Sequence, residues 1–140
     1  MYDSILLPTD GSDGAGLAVE KAIALAAEHD ATLLVLNVVD ITAASAIPEA
    51  QAKSIRELLS NAGEAHISEV ADQASKAGVV VESLIREGNA AAEILDVAEA
   101  ESVDLIVMGT HGRSGIDRLL LGSVADRVIR HSPVSVLITK

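Results

Sequence analysis

The chain has no cysteine, tryptophan or phenylalanine, and Tyr2 is its one residue of the Phe/Trp/Tyr class. Without cysteine there are no disulfides and no thiolate chemistry, which is compatible with a reducing compartment. Without aromatics, a core must be built from Ala, Val, Ile and Leu, which dominate the 49% hydrophobic content. Positive charge is scarce: 10 Lys and Arg stand against 21 Asp and Glu, a formal net charge of −11. That balance argues against nucleic acid as a partner, because phosphate backbones are bound by Lys/Arg stripes. It suits a protein that stays soluble in high salt, and equally an ordinary cytoplasmic protein of pI near 4.6. No apolar run reaches about 18 residues, so no segment reads as a membrane span. The opening Met1-Tyr2-Asp3-Ser4 enters an apolar stretch at once and lacks the features of a secretory leader. The expectation is a cytoplasmic protein with a single domain over residues 1–140. Such a domain buries about two-thirds of its unfolded surface.

What is present is an alternation. Ser4 to Leu7 reads as a short apolar strand stopped by Pro8, and Thr9-Asp10-Gly11-Ser12-Asp13-Gly14 as a turn cluster. Ser12 or Asp13 can cap the helix that follows. That helix carries Ala18, Ala22 and Leu25 on one stripe, with Val19, Ile23 and Ala26 beside it, and ends near His29-Asp30. Thr32 to Val39 is a second strand, nearly all apolar, as in a parallel sheet covered on both faces. A loop over 40–48 closes with Pro48 and leads into a long helix, Glu49 to Ala77, with Ile55, Leu59, Ala62 and Val70 near one face. Gly63 weakens that helix by about 1 kcal/mol relative to Ala, and Gly78 fits a C-terminal stop. Val79 to Ile85 is a third strand, and Asn89 caps a helix bearing Ile94, Leu95 and Val97. Asp104 to Met108 is a fourth strand, Ser123 to His131 a last helix stopped by Ser132-Pro133, and Val134 to Ile138 a fifth strand.

Strands alternating with helices predict an α/β domain: an open five-stranded parallel sheet with helices on both faces. In such sheets ligands bind beyond the carboxyl ends of the strands, where the strand order reverses. The polar clusters after strand one (Asp10-Gly11-Ser12) and strand four (Gly109 onward) should flank that point. This places strand one beside strand four and gives the order 3-2-1-4-5.

The stretch Gly109 to Asp126 carries the chemistry. Gly109, Gly112 and Gly115 lie between a strand and a helix, with Gly122-Ser123 at the helix start. Glycine lets backbone N–H groups approach an anion, and a helix N-terminus offers unpaired N–H groups and a favourable dipole. Ser123-Val124-Ala125-Asp126 is also a plain capping-box pattern, which needs no ligand. Residue pattern alone leaves both readings open. Other phosphate motifs do not fit: no lysine stands where a Walker A loop needs one, and Gly11-x2-Gly14-x-Gly16 reverses the dinucleotide spacing. A triad of Ser123, His111 and Asp10 has no Gly-x-Ser-x-Gly elbow, and His29, His66 and His131 have no metal-ligand spacing.

The spacing Gly109-x2-Gly112-x9-Gly122-Ser123 resembles G-x2-G-x9-G-[ST], the nucleotide-binding motif of the universal stress protein family. The resemblance extends to Asp104-Leu-Ile-Val-Met-Gly before it and Ser132-Pro133-Val134 after it. It also takes in the opening Ile5-Leu6-Leu7-Pro8-Thr9-Asp10-Gly11-Ser12. It implies a Rossmann-like, adenine nucleotide α-hydrolase-like fold with the strand order above. It implies an ATP-binding protein with a regulatory or stress-response role rather than a fast enzyme; slow ATP hydrolysis stays open, as does a nucleotide-free, partner-binding dimeric module. Gly109, Gly112, Gly122, Ser123 and Val124 would present N–H groups to the phosphates, with the Ser123 hydroxyl and Met108 alongside. Asp10 would lie by the nucleoside, its carboxylate suited to ribose hydroxyls or to a bridging Mg²⁺ rather than to phosphate. Pro8 and Thr9 would line the same pocket, and Val38 would offer backbone groups to adenine. Arg113 and Arg118 either balance phosphate charge or are solvated loop arginines. A homodimer through the strand Val134 to Ile138 is implied as well.

Overall fold

Side chains along a strand alternate between the two faces of a sheet. In the computed structural model, which describes residues 2–9, 15–40, 47–110 and 122–139, that alternation separates two cores. The elements run β1 (Ser4–Thr9), α1 (Ala15–His29), β2 (Thr32–Val39), α2 (Glu49–Lys76), β3 (Val81–Glu87), α3 (Ala90–Ala100), β4 (Leu105–Gly109), α4 (Ser123–His131), β5 (Ser135–Thr139). All strand pairs are parallel, in the order β3-β2-β1-β4-β5. Ile5, Leu7, Leu33, Val35 and Val107 face α1 and α2, and Leu6, Leu34, Leu36, Ile106 and Met108 face α3 and α4. The expected order and the helices on both faces are therefore what the chain adopts. α1 buries Ala18, Val19, Ala22, Ile23 and Ala26, close to the stripe expected for it.

Local signals behave as their chemistry requires at several element ends. Asn89 caps α3, its side chain accepting from Ala92 N–H at 3.0 Å. α2 closes in a Schellman motif. Val79 N–H reaches Ala74 C=O at 2.9 Å, Gly78 N–H reaches Ser75 C=O at 3.0 Å, and Gly78 sits at φ +74°. That closure uses Val79, so β3 starts two residues later than expected. It then runs on to Glu87, because β2 offers pairing partners as far as Val39.

Two expectations are corrected. Of the residues expected to face the sheet from α2 only Val70 is buried, and the buried positions beside it are Ala52, Gly63, Ile67 and Ala74; Ile55 and Ala62 are exposed and Leu59 is half-buried. The 28-residue helix rises about 42 Å, while eight strand residues span about 26 Å. Its amino-terminal part therefore outruns the sheet, and the apolar pattern there no longer reports on the core. The second correction concerns Pro8, which does not stop β1. It pairs in register with Leu36 and the strand continues to Thr9.

Candidate functional site at the carboxyl edge of the sheet

Backbone polarity around β1 shows what Pro8 does instead. Asp3 C=O accepts from Thr32 N–H at 2.9 Å on the β2 side, and Ser4 C=O accepts from Asp104 N–H at 2.8 Å on the β4 side. Successive residues of a strand turn their N–H and C=O to opposite neighbours. Ser4, Leu6 and Pro8 therefore face β4, where Pro8 has no N–H to give. The β1–β4 ladder has two register pairs, Ile5↔Leu105 and Leu6↔Ile106, and ends there. On the other flank, β1 pairs with β2 at six positions, through Thr9↔Asn37. The β1–β4 ladder thus ends short of the carboxyl ends of the two central strands, at the switch in strand order.

Backbone groups face the space beyond. Thr110 N–H donates to Thr139 C=O at 3.1 Å, toward β5, so the preceding Gly109 turns its N–H and C=O toward β1. Thr32 faces β1, so Val38 does too, one residue past the last β1–β2 pair. The end of α4 completes the rim. Gly122 is its N-cap, with extended φ −65° and ψ 157°, and Asp126 N–H makes the first helical bond to Gly122 C=O at 2.9 Å. Ser123, Val124 and Ala125 are then first-turn residues, whose N–H groups have no intrahelical acceptor. The Gly122 N–H is engaged: it donates to Thr110 C=O at 2.6 Å. That bond brings the end of β4 to the start of α4. Gly122 is therefore not a free donor. The capping-box reading of Ser123 is also corrected, since Ser123 is the first helical residue and not the cap. Asp126, in the same turn, is paired by Arg130 at 3.0 Å, which offsets a charge that would oppose an anion at this helix end.

Of the residues singled out from the sequence, Pro8, Thr9, Val38, Gly109, Gly122, Ser123 and Val124 converge on this edge. Met108 lies beside them, but its side chain is in the core against α3 and α4. Asp10, Gly112 and Arg113, with His111 and Arg118, lie outside the described residues. Among the described residues, no cluster of His, Asp and Glu could hold a metal ion. A depression of about 420 Å³ between α2 and β3, lined by Glu64, Ile67 and Ser83, lies at the far edge of the sheet from α4.

The sequence reading missed a polar layer beneath the edge. Asn37, 5% exposed, donates from Nδ2 to Thr9 C=O at 3.1 Å. Thr9, 7% exposed, shares a 2.7 Å hydrogen bond between its Oγ1 and His66 Nε2 on α2. Gly63 makes room for Asn37: a Cβ there would stand 2.7 Å from Asn37 Cγ. The available signals were an Asn inside the apolar run of strand two and a Gly three residues before a His inside a long helix.

A doubly wound parallel sheet whose strand order reverses between β1 and β4 defines the Rossmann-like class, in which ligands bind at that switch point. Within this class the chain belongs to the universal stress protein family, which it matches over residues 1–140. It is 41% identical to Universal stress protein MJ0531 of Methanocaldococcus jannaschii, over all of this chain and 83% of that protein. The solved structure of hypothetical protein MJ0577 superposes with a TM-score of 0.92 at 31% identity, covering 100% of this chain and 96% of the other. A universal stress protein solved in complex with cAMP superposes with a TM-score of 0.73 at 29% identity, covering 99% and 96%. Among the described residues, no helix is long and apolar enough to cross a membrane.

Proposed function

We propose that this chain is a regulatory, stress-response protein that binds ATP across the switch point and turns it over slowly or not at all. The observation that carries this reading is the end of the β1–β4 ladder at Leu6↔Ile106, at the switch in strand order. It leaves a crevice rimmed by backbone donors on one side and the N-terminus of α4 on the other. The phosphates lie along the segment from Gly109 to Val124. Ser123 and Val124 give N–H groups, Ser123 adds its hydroxyl, and Gly112 and Arg113 contribute from the intervening segment. The adenine lies by the backbone of Val38, and Pro8 and Thr9 form the wall between. Asp10 meets the ribose or a phosphate-bound Mg²⁺. The relative solved with cAMP supports an adenine nucleotide as the ligand class.

Thermal melts with and without Mg-ATP test the reading. At about 100 times its dissociation constant, ATP stabilises the fold by about 2.7 kcal/mol, a shift of several degrees in Tm. Ser123→Ala loses a hydrogen bond to a charged group, about 1.5–3 kcal/mol of ATP affinity. Ser123 is not the helix cap, so the ligand-free melt of that variant stays within about 0.5 kcal/mol of wild type. If ATP moves neither melt, and the purified protein carries no nucleotide, the reading is wrong.

A homodimer belongs to the same proposal. β5 is a sheet edge, and Val136, Leu137 and Ile138 are only half-buried, an apolar edge of the kind that proteins cover. Val136 packs against the α3/α4 core, so a charge there would disturb more than an interface. Val136→Pro is the cleaner change. Thr139 C=O faces β4, so by alternation the Val136 N–H faces outward, and its loss spares the internal ladder. The variant should run as a monomer in light scattering; a persistent dimer places the contact elsewhere.

A further inference from the structure

β3 bounds the sheet on the side opposite β5. Leu33 N–H donates to Val80 C=O at 2.9 Å, and Gly88 N–H to Val39 C=O at 3.0 Å. The even-numbered residues of β3 therefore turn their backbone groups toward β2. Val81, Ser83, Ile85 and Glu87 turn theirs outward, where no strand among the described residues pairs with them. Such an edge is a template for another strand. Ser83 is exposed, as are Glu82 and Glu87 in the same strand.

The depression between α2 and β3 opens beside this edge. Its 420 Å³ are apolar at Ile67, Leu84 and Ile85 and polar at Glu64, Ser68 and Ser83. That volume admits a long side chain from a strand laid along β3. Apolar walls beside one carboxylate and two hydroxyls suit lysine or arginine, whose stem lies on apolar surface while the charged head reaches a polar partner. Here the stem meets Ile67 and Ile85, and the head meets Glu64. Among the described residues, Glu64, Glu82 and Glu87 form no ion pair. Arg86, the cation of this strand, is already taken by Glu93 at 4.0 Å and Asp96 at 3.8 Å on α3.

We propose that the β3 edge docks an extended, lysine- or arginine-bearing segment of a partner protein by strand addition. The outward N–H and C=O groups of Ser83 and Ile85 hold its main chain, and the depression takes one cationic side chain. Residues of an added strand alternate between faces. Its next side chain therefore passes Glu82, which favours a second cation. The same charges select against a second copy of this chain, because another β3 would bring its own Glu82 and Glu87 to an acidic edge. The uncharged β5 edge, with Val136, Leu137 and Ile138, carries no such selection. This docking is independent of the nucleotide reading, and either can fail without the other.

The probe is a synthetic peptide of alternating lysine and valine, as long as the 7 residues of β3. A peptide of alternating glutamate and valine is the control. Both are titrated into the full chain by calorimetry, and amide exchange is followed in the mixture. The lysine peptide should bind and protect the Ser83 and Ile85 amides, and the glutamate peptide should not. Ser83→Pro removes an outward N–H while sparing the ladder to β2, so it should weaken binding by about tenfold or more. Glu64→Gln keeps the shape and removes the charge, and should weaken binding about two- to fivefold. No binding of the lysine peptide overturns the proposal, as does equal binding of both peptides. Binding that Ser83→Pro leaves intact, or protection at β5 amides in place of β3, also overturns it, since attraction to an acidic protein in general would then suffice. Should Ser83→Pro fail to fold, Glu64→Gln and the protection pattern decide: unchanged affinity with no protection at Ser83 overturns the site.

Discussion

Beside β2, β1 is paired from Ser4 to Thr9; beside β4 it is paired at Ile5 and Leu6 only. At the amino edge the two flanks are equally firm. Thr32 N–H ties Asp3 C=O on one side, and on the other Asp104 N–H ties Ser4 C=O. The Asp104 carboxylate also accepts from the N–H groups of Asp3 and Ser4, at 2.8 and 3.0 Å. At the carboxyl edge they diverge. The β2 flank gains extra bonds through Asn37 and His66, while the β4 ladder ends before Pro8, which has no N–H to give. A strand can therefore be a rigid wall on one side and the lip of a crevice on the other. Reversal of strand order says where a crevice can form; the donor pattern of β1 says how wide it begins.

The largest expected effect tests how far the firm part of the β4 flank extends. Leu6 is fully buried at its last register pair, facing α3 and α4. Leu6→Ala should cost about 2–5 kcal/mol in urea unfolding. A loss well under that range would mean the flank is already loose at Leu6, and the contrast with β2 starts earlier than drawn.

A middle-sized effect tests the β2 flank. In a solvent-exposed helix, Gly to Ala gains about 1 kcal/mol. At Gly63 the added Cβ displaces the buried Asn37 amide from Thr9, at a cost of about 1–3 kcal/mol. Gly63→Ala should therefore be neutral to destabilising, by up to about 2 kcal/mol. A clear gain in Tm would show that Asn37 moves aside at no cost, and that the closed flank is less constrained than its geometry indicates.

The smallest effect on stability, and the sharpest on function, is expected from Pro8→Ala. It supplies an N–H toward β4 and relaxes the unfolded chain, so the ligand-free stability should move by less than about 1 kcal/mol. The new donor should extend the ladder and narrow the crevice, seen as a protected amide at position 8 and weaker ATP binding. An unprotected amide with unchanged affinity would assign the parting of the strands to something other than the proline.

Local pattern was enough for whatever depends on near neighbours in the chain. The nearly all-apolar strand Thr32 to Val39 could only be an interior strand. Asn89 and Gly78 marked helix ends through bonds made within a few residues, and Gly109, Gly122 and Ser123 stood out by spacing alone. The alternation of elements carried the sheet order with it, because parallel strands need crossovers and the polar loops mark the switch. Tertiary structure decided the rest, wherever a residue's role depends on what lies across from it. Ile55 and Leu59 have helical spacing, but α2 has outrun the sheet there, so periodicity had nothing to report. Pro8 looked like a stop because local rules count a missing N–H without knowing which neighbour it faced; here it faced β4. Ser123 fitted a cap until the bond from Asp126 N–H to Gly122 C=O set the cap one residue earlier. Gly63 and His66 acquire meaning only when α2 is laid against Asn37 and Thr9, because a 2.7 Å contact between residues 57 positions apart is a property of packing and not of sequence.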